Sequence, residues 1–408
     1  ASTIQDTASL NDALPGVNFE RKLYGTDFTH SPTTARSYYY NFINESDVAS
    51  VGENALYLSV FSTVDTSYFG FTGTSGNDVI NRMTDDPQFN DIPYVINGYE
   101  GEDIITGSNA DNLIAGGEDD DILNGNGGDD VFFFEGHNGG IDSVNGGTGI
   151  DTILGSGGDD TIGISTINAS KSIEVIDGGD GVDTLRGSDT GTDFIDLRAI
   201  EVRNIEFYDL GDGGTDVFYG TEDADTILTG AGTKRIYGEG GDDTIVLKTS
   251  HTNSESNEYD GGLGYDQIVV DNIWTDFTLR MKELRPEDSI ENIDLGNGYN
   301  IIEGTSGGNR LDFSTTTLQG VSLIDGGEGS DTITGTSGDD VIKGGAGSDT
   351  LKGGDGNDTF LVEGIDASSS ARDDFDGGLG TDQILGTSGD DLLRVRNLNA
   401  DDSIEILD

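Results

Sequence analysis

Aspartate recurs in this 408-residue chain at intervals of nine, each time after a run of glycines and two residues ahead of a large apolar side chain. From Gly326 to Leu361 the chain reads GGEGSDTIT, GTSGDDVIK, GGAGSDTLK and GGDGNDTFL in one unbroken register, the pattern G-G-x-G-x-D-x-U-x with U apolar. Carboxylates are hard oxygen donors, and the unshielded carbonyls of glycine turns are oxygen donors as well. The chemistry this combination supports is binding of a hard divalent cation, calcium above all.

The spacing also says which carboxylates should meet. Glycines at positions 1, 2 and 4 permit positive φ, so six residues can form a tight, oxygen-lined turn, and the remaining x-U-x is a three-residue strand. In such a strand the middle side chain points away from its neighbours, so we expect Ile333, Val341, Leu351 and Phe360 to face inward. One nonapeptide crosses and the next returns. A complete coil then takes eighteen residues, and position-6 aspartates eighteen apart should stack on one edge. Asp331 and Asp349, Asp340 and Asp358, Asp103 and Asp121, Asp142 and Asp160, Asp225 and Asp243, and Asp373 and Asp391 all have this spacing. Each pair is expected to hold one calcium between two turns. Partial or single copies add Asp78, Asp130, Asp151, Asp183, Asp216, Asp266 and Asp382 to the candidate metal ligands.

The pattern resembles that of the RTX proteins, whose nonapeptide repeats build a calcium-binding parallel β-helix. The resemblance covers most of residues 73–394 and implies an all-β parallel β-roll solenoid of stacked metal-clamped coils. It also implies export, since such chains commonly leave a bacterial cell unfolded by a type I-like route and fold on meeting external calcium.

Composition leads to the same place independently. Only 33% of residues are hydrophobic, 64 are glycine, and 78 acids against 20 bases give a formal charge of −58. Such a chain cannot fold on apolar burial alone. A divalent cation both neutralises the acids and turns its binding energy into folding energy. The negative field argues against nucleic-acid partners. With no cysteine, disulfides and thiolate metal sites are excluded. No apolar run reaches the length of a transmembrane segment.

By repeat content the chain divides into an aromatic-rich, non-repeat β module over 1–72, a β-roll region over 73–269, interrupted coils over 270–320, and a second β-roll region over 321–408. Three segments rhyme: KSIEVIDGGDG at Lys171, DSIENIDLGNG at Asp288 and LQGVSLIDGGEG at Leu318. We expect them to be coils whose edge is closed by hydrophobic packing rather than metal. The closing DSIEILD copies the start of the same phrase, so the native chain is expected to continue past Asp408.

Enzyme signatures are weak. His30, His137 and His251 stand apart with no ligand spacing, and GTSGG at Gly304 meets the serine-hydrolase pattern G-x-S-x-G only because it is a variant repeat turn around Ser306. We therefore expect no catalysis. The leading reading is an extracellular calcium-binding structural protein of a surface layer (S-layer), filament or matrix, with self-association or a cell-surface partner. The alternatives are the RTX segment of a larger exported adhesin and the repeat region of a secreted hydrolase or toxin. One position breaks the pattern: TGAGTKRIY places Lys234 where aspartate belongs, eighteen residues after Asp216. There the ammonium is expected to stand in for the ion.

Overall fold

The computed structural model describes residues 69–83, 90–91, 93–137, 140–248, 257–271, 276–362, 372–386, 393–396 and 403–407. The aromatic module expected up to residue 72 lies outside these except for its last strand, Phe69–Thr72, which pairs in parallel with Tyr94–Glu100. Asp391, His30 and His251 also lie outside the described residues. The chain divides into two compact units, one running up to Arg186 and including Ala199–Glu206, the other formed by Gly187–Arg198 and the chain from Phe207 onward.

In the first unit, short strands alternate between two sheets as far as 152–154, after which 161–163, 166–167 and 184–186 enter other sheets. Strands 94–100, 113–118, 131–133, 152–154 and 175–177 stack in one, and 79–81, 104–106, 122–127 and 143–148 in the other. Each pairing is parallel, and each joins strands separated by one full coil. The apolar U residues fall in register, Ile96 on Ile114, Phe132, Ile153 and Ile176 on one side and Ile105 on Leu123 and Val144 on the other. All are at most 1% exposed, so the core is a file one side chain wide per strand.

The second unit repeats this plan. Tyr208, Ile227, Ile245, Ile268 and Ile293 stack along one sheet, and Leu279, Ile302, Ile324, Ile342, Phe360 and Ile384 along another. Facing strands carry Ile195, Phe218, Ile236 and Tyr259, then Leu284, Leu311, Ile333, Leu351 and Phe375. The protein is therefore a nearly all-β parallel β-roll. One inward assignment needs correction: Ile342 is fully buried where Val341 was expected, because Val341 holds the x position after Asp340 and its side chain turns outward. A core this thin leaves the coil edges to supply much of the cohesion.

Candidate calcium ladders along the coil edges

At each edge the aspartates join coil to coil through one oxygen. The backbone N–H of Asp103 donates to Asp121 Oδ1 at 2.7 Å, that of Asp331 to Asp349 Oδ1 at 2.9 Å, and that of Asp340 to Asp358 Oδ1 at 2.9 Å. The rule is directional: where one of these aspartate amides meets a carboxylate, that carboxylate belongs to the coil that follows. Asp78 donates to Asp103, Asp130 to Asp151, Asp160 to Asp183, Asp225 to Asp243, Asp243 to Asp266, Asp349 to Asp373 and Asp358 to Asp382 in the same way.

Spacing within these ladders is not fixed at eighteen. It widens to 21 between Asp121 and Asp142 and to 23 between Asp160 and Asp183, where the coil takes in a further short strand, Thr166–Ile167, and buries Ile164 and Ile167. The expected pairing of Asp142 with Asp160 is thereby corrected. Asp142 closes the ladder of Asp103 and Asp121, with its own amide on the Gly163 carbonyl, while Asp160 begins another.

The second carboxylate oxygen separates two kinds of turn. In turns whose second residue is Ser or Thr, that residue satisfies it. Thr336 donates its N–H at 2.6 Å and its hydroxyl at 3.0 Å to Asp340 Oδ2, and Thr74, Ser156 and Thr221 likewise bond Asp78, Asp160 and Asp225. In the other kind the second residue has positive φ, as at Gly327 (φ 88°), Gly345 (φ 91°) and even Tyr99 (φ 82°). Its N–H no longer reaches the carboxylate, and Oδ2 of Asp103, Asp121, Asp130, Asp151, Asp183, Asp243, Asp266, Asp331, Asp358 and Asp382 is buried with no hydrogen-bond partner; Asp142 Oδ2 is buried and unpartnered too.

What faces these orphaned oxygens is other oxygens. A Cβ on Gly326 would stand 2.5 Å from the Gly344 carbonyl oxygen and 2.8 Å from Asp331 Oδ2, so glycine is required there and both oxygens border one small space. Gly98, Gly125, Gly238 and Gly353 repeat the arrangement with Asp103, Asp130, Asp243 and Asp358 and a carbonyl of the next coil. A buried carboxylate oxygen set against carbonyls is repulsive unless a cation lies between them. The donor set, one or two carboxylates with several carbonyls, fits calcium. Among the described residues no group of three His, Cys, Asp or Glu side chains gathers as a metal site, so most ligands would have to be backbone oxygens.

Electrostatics agree. With only protons to compete for the site, burial pushes the Asp121, Asp243 and Asp331 carboxyls up to about 7 and those of Asp130 and Asp142 up to about 8, neighbouring carboxylates adding to the shift. A divalent ion at Oδ2 supplies the opposite charge that would keep them ionised.

Two substitutions in the ladder place a nitrogen where the cation would be. Asn300, fully buried, donates from Nδ2 to the carbonyls of Leu295 at 2.9 Å, Gly296 at 3.3 Å and Gly320 at 2.8 Å, while its Oδ1 accepts from the Phe277 amide as an aspartate would. Lys234, also 0% exposed, lies in register with Asp216, and its ammonium bonds Asp216 Oδ2 and, at 3.1 Å, the Gly213 carbonyl.

Several ladder residues escape the nine-residue pattern. Asn112, Asn257 and Asn300 accept ladder amides in place of aspartate, while Asn309 donates from Nδ2 to the Lys282 carbonyl and accepts the Thr305 amide of its own turn; asparagine at position 6 is the signal that would have found them. Asp193 is displaced by one extra residue in GSDTGTD, yet its amide donates to Asp216 Oδ1. A second, exposed ladder uses position 5: Asp111 Oδ1 accepts from the Asp129 amide and Asp129 Oδ1 from Ile150, with Asp159 to Val182, Asp242 to Tyr265 and Asp339 to Asn357 repeating it. Its donor is always the later coil, the reverse of the inner ladder. Ser306 is exposed on a turn between strands, as the variant-repeat reading of GTSGG expects.

A parallel roll whose edges carry glycine turns, buried aspartates and unsatisfied oxygen pairs defines a calcium-binding repeat protein. The model of the RTX calcium-binding nonapeptide repeat (4 copies) matches residues 96–132, 138–163, 166–196, 210–245, 325–360 and 369–394, so the chain carries several sets of this family's repeats. No curated protein matches it.

Proposed function

We propose that this chain is an extracellular structural protein, a component of a surface layer, filament or matrix, which folds when calcium fills its coil edges and then associates with further copies or a cell-surface partner. The observation that carries this reading is the recurrence of orphaned carboxylate oxygens opposite carbonyls through both units. Coils fill the described chain, which leaves it suited to serve as scaffold rather than to hold a catalytic cleft, and among the described residues no helix is long and apolar enough to cross a membrane. Calcium contributes in two ways: it bridges successive turns through oxygen ligands, and it lowers the self-repulsion of a chain with formal charge −58.

The test is a calcium titration at neutral pH followed by circular dichroism and light scattering. The chain should be expanded in chelator, gain β structure at millimolar calcium, and then form ordered assemblies. Equal folding in excess chelator would sink the calcium-coupled part; a calcium-loaded monomer at every accessible concentration would sink the assembly part.

A further inference from the structure

Four inner ladders end on the same short phrase, and it is not a nonapeptide. Ser172-Ile173-Glu174, Asn204-Ile205-Glu206, Ser289-Ile290-Glu291 and Ser403-Ile404-Glu405 each begin with a left-handed residue, at φ 51°, 52°, 49° and 53°. The glutamate then takes the role of the next aspartate. Oε2 of Glu174 accepts the Asp151 amide at 2.7 Å, Glu206 that of Asp183 at 2.7 Å, Glu291 that of Asp266 at 2.8 Å and Glu405 that of Asp382 at 2.7 Å. For Glu174 and Glu291 the strand register confirms the equivalence, since Val175 pairs with Thr152 and Asn292 with Gln267, one residue after the acid in each case.

The left-handed residue does a second thing. Its carbonyl oxygen turns into the space beside the first glycine of the preceding coil, where the orphaned Oδ2 also points. Ser172 O and Asp151 Oδ2 meet beside Gly146, Asn204 O and Asp183 Oδ2 beside Gly178, Ser289 O and Asp266 Oδ2 beside Gly261, and Ser403 O and Asp382 Oδ2 beside Gly377. The four aspartates are at most 1% exposed, and none of these Oδ2 atoms has a hydrogen-bond partner. In the tandem blocks a glycine carbonyl of the next nonapeptide fills this place, as Gly344 O does beside Gly326.

We propose that each Ser/Asn-Ile-Glu phrase completes a calcium site of its own, with the aspartate Oδ2 and the Ser or Asn carbonyl as ligands and the glutamate carboxylate as the second negative charge. These sites rest on the reading of the chain as a calcium-binding roll, but they extend metal binding to coil junctions that the repeat pattern misses. Their acids are 23 or 25 residues apart. For the two of these phrases at Lys171 and Asp288 the sequence leads one to expect edges closed by apolar packing; the buried Ile173 and Ile290 do pack, and the polar half of the same turn presents oxygen to oxygen.

Anomalous difference maps from calcium-grown crystals of the full chain, recorded at long wavelength, test this directly. Peaks are expected beside Gly146, Gly178, Gly261 and Gly377, as well as in the tandem block between Gly326 and Gly344. Peaks in the tandem block with none at the four junctions overturn this inference and leave the proposed function standing; no peak anywhere overturns both. In solution, Glu206→Gln retains an oxygen acceptor for the Asp183 amide while removing the charge. One binding step should shift to roughly tenfold higher calcium, as ligand charge tunes affinity. A binding isotherm unchanged by Glu206→Gln and by Glu206→Ala would count against the glutamate. Should either variant fail to fold, the wild-type map decides.

Discussion

The ammonium of Lys234 closes on the carboxylate of Asp216 inside the coil edge, with both side chains at most 1% exposed, so one ladder carries its own cation. The geometry places the ammonium where a calcium ion would otherwise be called for. Removing it by Lys234→Ala leaves a buried carboxylate unpaired and should destabilise the second unit by roughly 3–5 kcal/mol without adding metal. Lys234→Asp should instead make the coil calcium-dependent and raise the bound calcium by about one ion. Denaturant melts and metal counting check both, and calcium already seated between Asp216 and Lys234 in the wild type would show the idea to be wrong.

Asn300 offers the neutral version of the same experiment. Its Nδ2 satisfies three carbonyls, and Asn300→Asp sets an oxygen against them. In chelator the variant should lose about 1–3 kcal/mol, the cost of unsatisfied buried groups. Calcium should restore the loss. Equal destabilisation with and without calcium would mean that these carbonyls do not form a latent metal site.

Turns with threonine at position 2 should be convertible in the opposite direction. Thr336→Gly removes the hydroxyl donor from Asp340 Oδ2 and, by allowing positive φ, lets the backbone N–H turn away from it as well. The variant should be weaker in chelator by about 2–3 kcal/mol, since bonds to a charged acceptor are lost, and should take up about one further ion. Equilibrium dialysis gives the count; an unchanged stoichiometry would refute the division of turns by their second residue.

Acidity provides a test that needs no variant. The buried carboxyls of Asp121, Asp130, Asp142, Asp243 and Asp331 have folded values raised, first by burial, to about 7 or 8. A group raised on folding lends its stability below the unfolded value near 4 and withdraws it as pH rises through the folded value. The metal-free roll should therefore be most compact in acid and open as pH climbs from about 4 to 8. Calcium requires the ionised form, so its apparent affinity should fall as the pH is lowered through 7. Circular dichroism across pH, in chelator and in calcium, separates the two trends; a metal-free fold more stable at pH 8 than at pH 5 would contradict them.

The roll itself was legible because glycine, aspartate and U recur together, and the register that places Ile333 on Leu351 follows from eighteen residues per coil. Pairing across longer loops was not legible. Nothing in the local sequence says that Asp142 answers Asp121 rather than Asp160, because the inserted residues lengthen the coil, burying Phe134, while the hydrogen bond is kept. The glutamate endings were visible only as rhyme. KSIEV and DSIEN carry the rhyme, but their acid does not read as a rung, since a glutamate reaches the ladder with one more methylene and at a different spacing. RNIEF at Arg203 was missed, its asparagine disguising the same left-handed turn.

The opposed directions of the two ladders mean that each coil is held from both sides. On the inner ladder each amide waits for a carboxylate that comes later in the chain, as Asp331 waits for Asp349. The exposed outer ladder runs the other way, as from Asn357 back to Asp339, but water can serve its donors while they wait. A chain winding from its N-terminal end would leave a buried amide open at every new coil, at about 1–3 kcal/mol each. One winding from its C-terminal end finds that acceptor in place but leaves the amide one residue further on, such as that of Thr350, waiting for a carbonyl of the earlier coil, here that of Asp331, so each coil needs its neighbours on both sides.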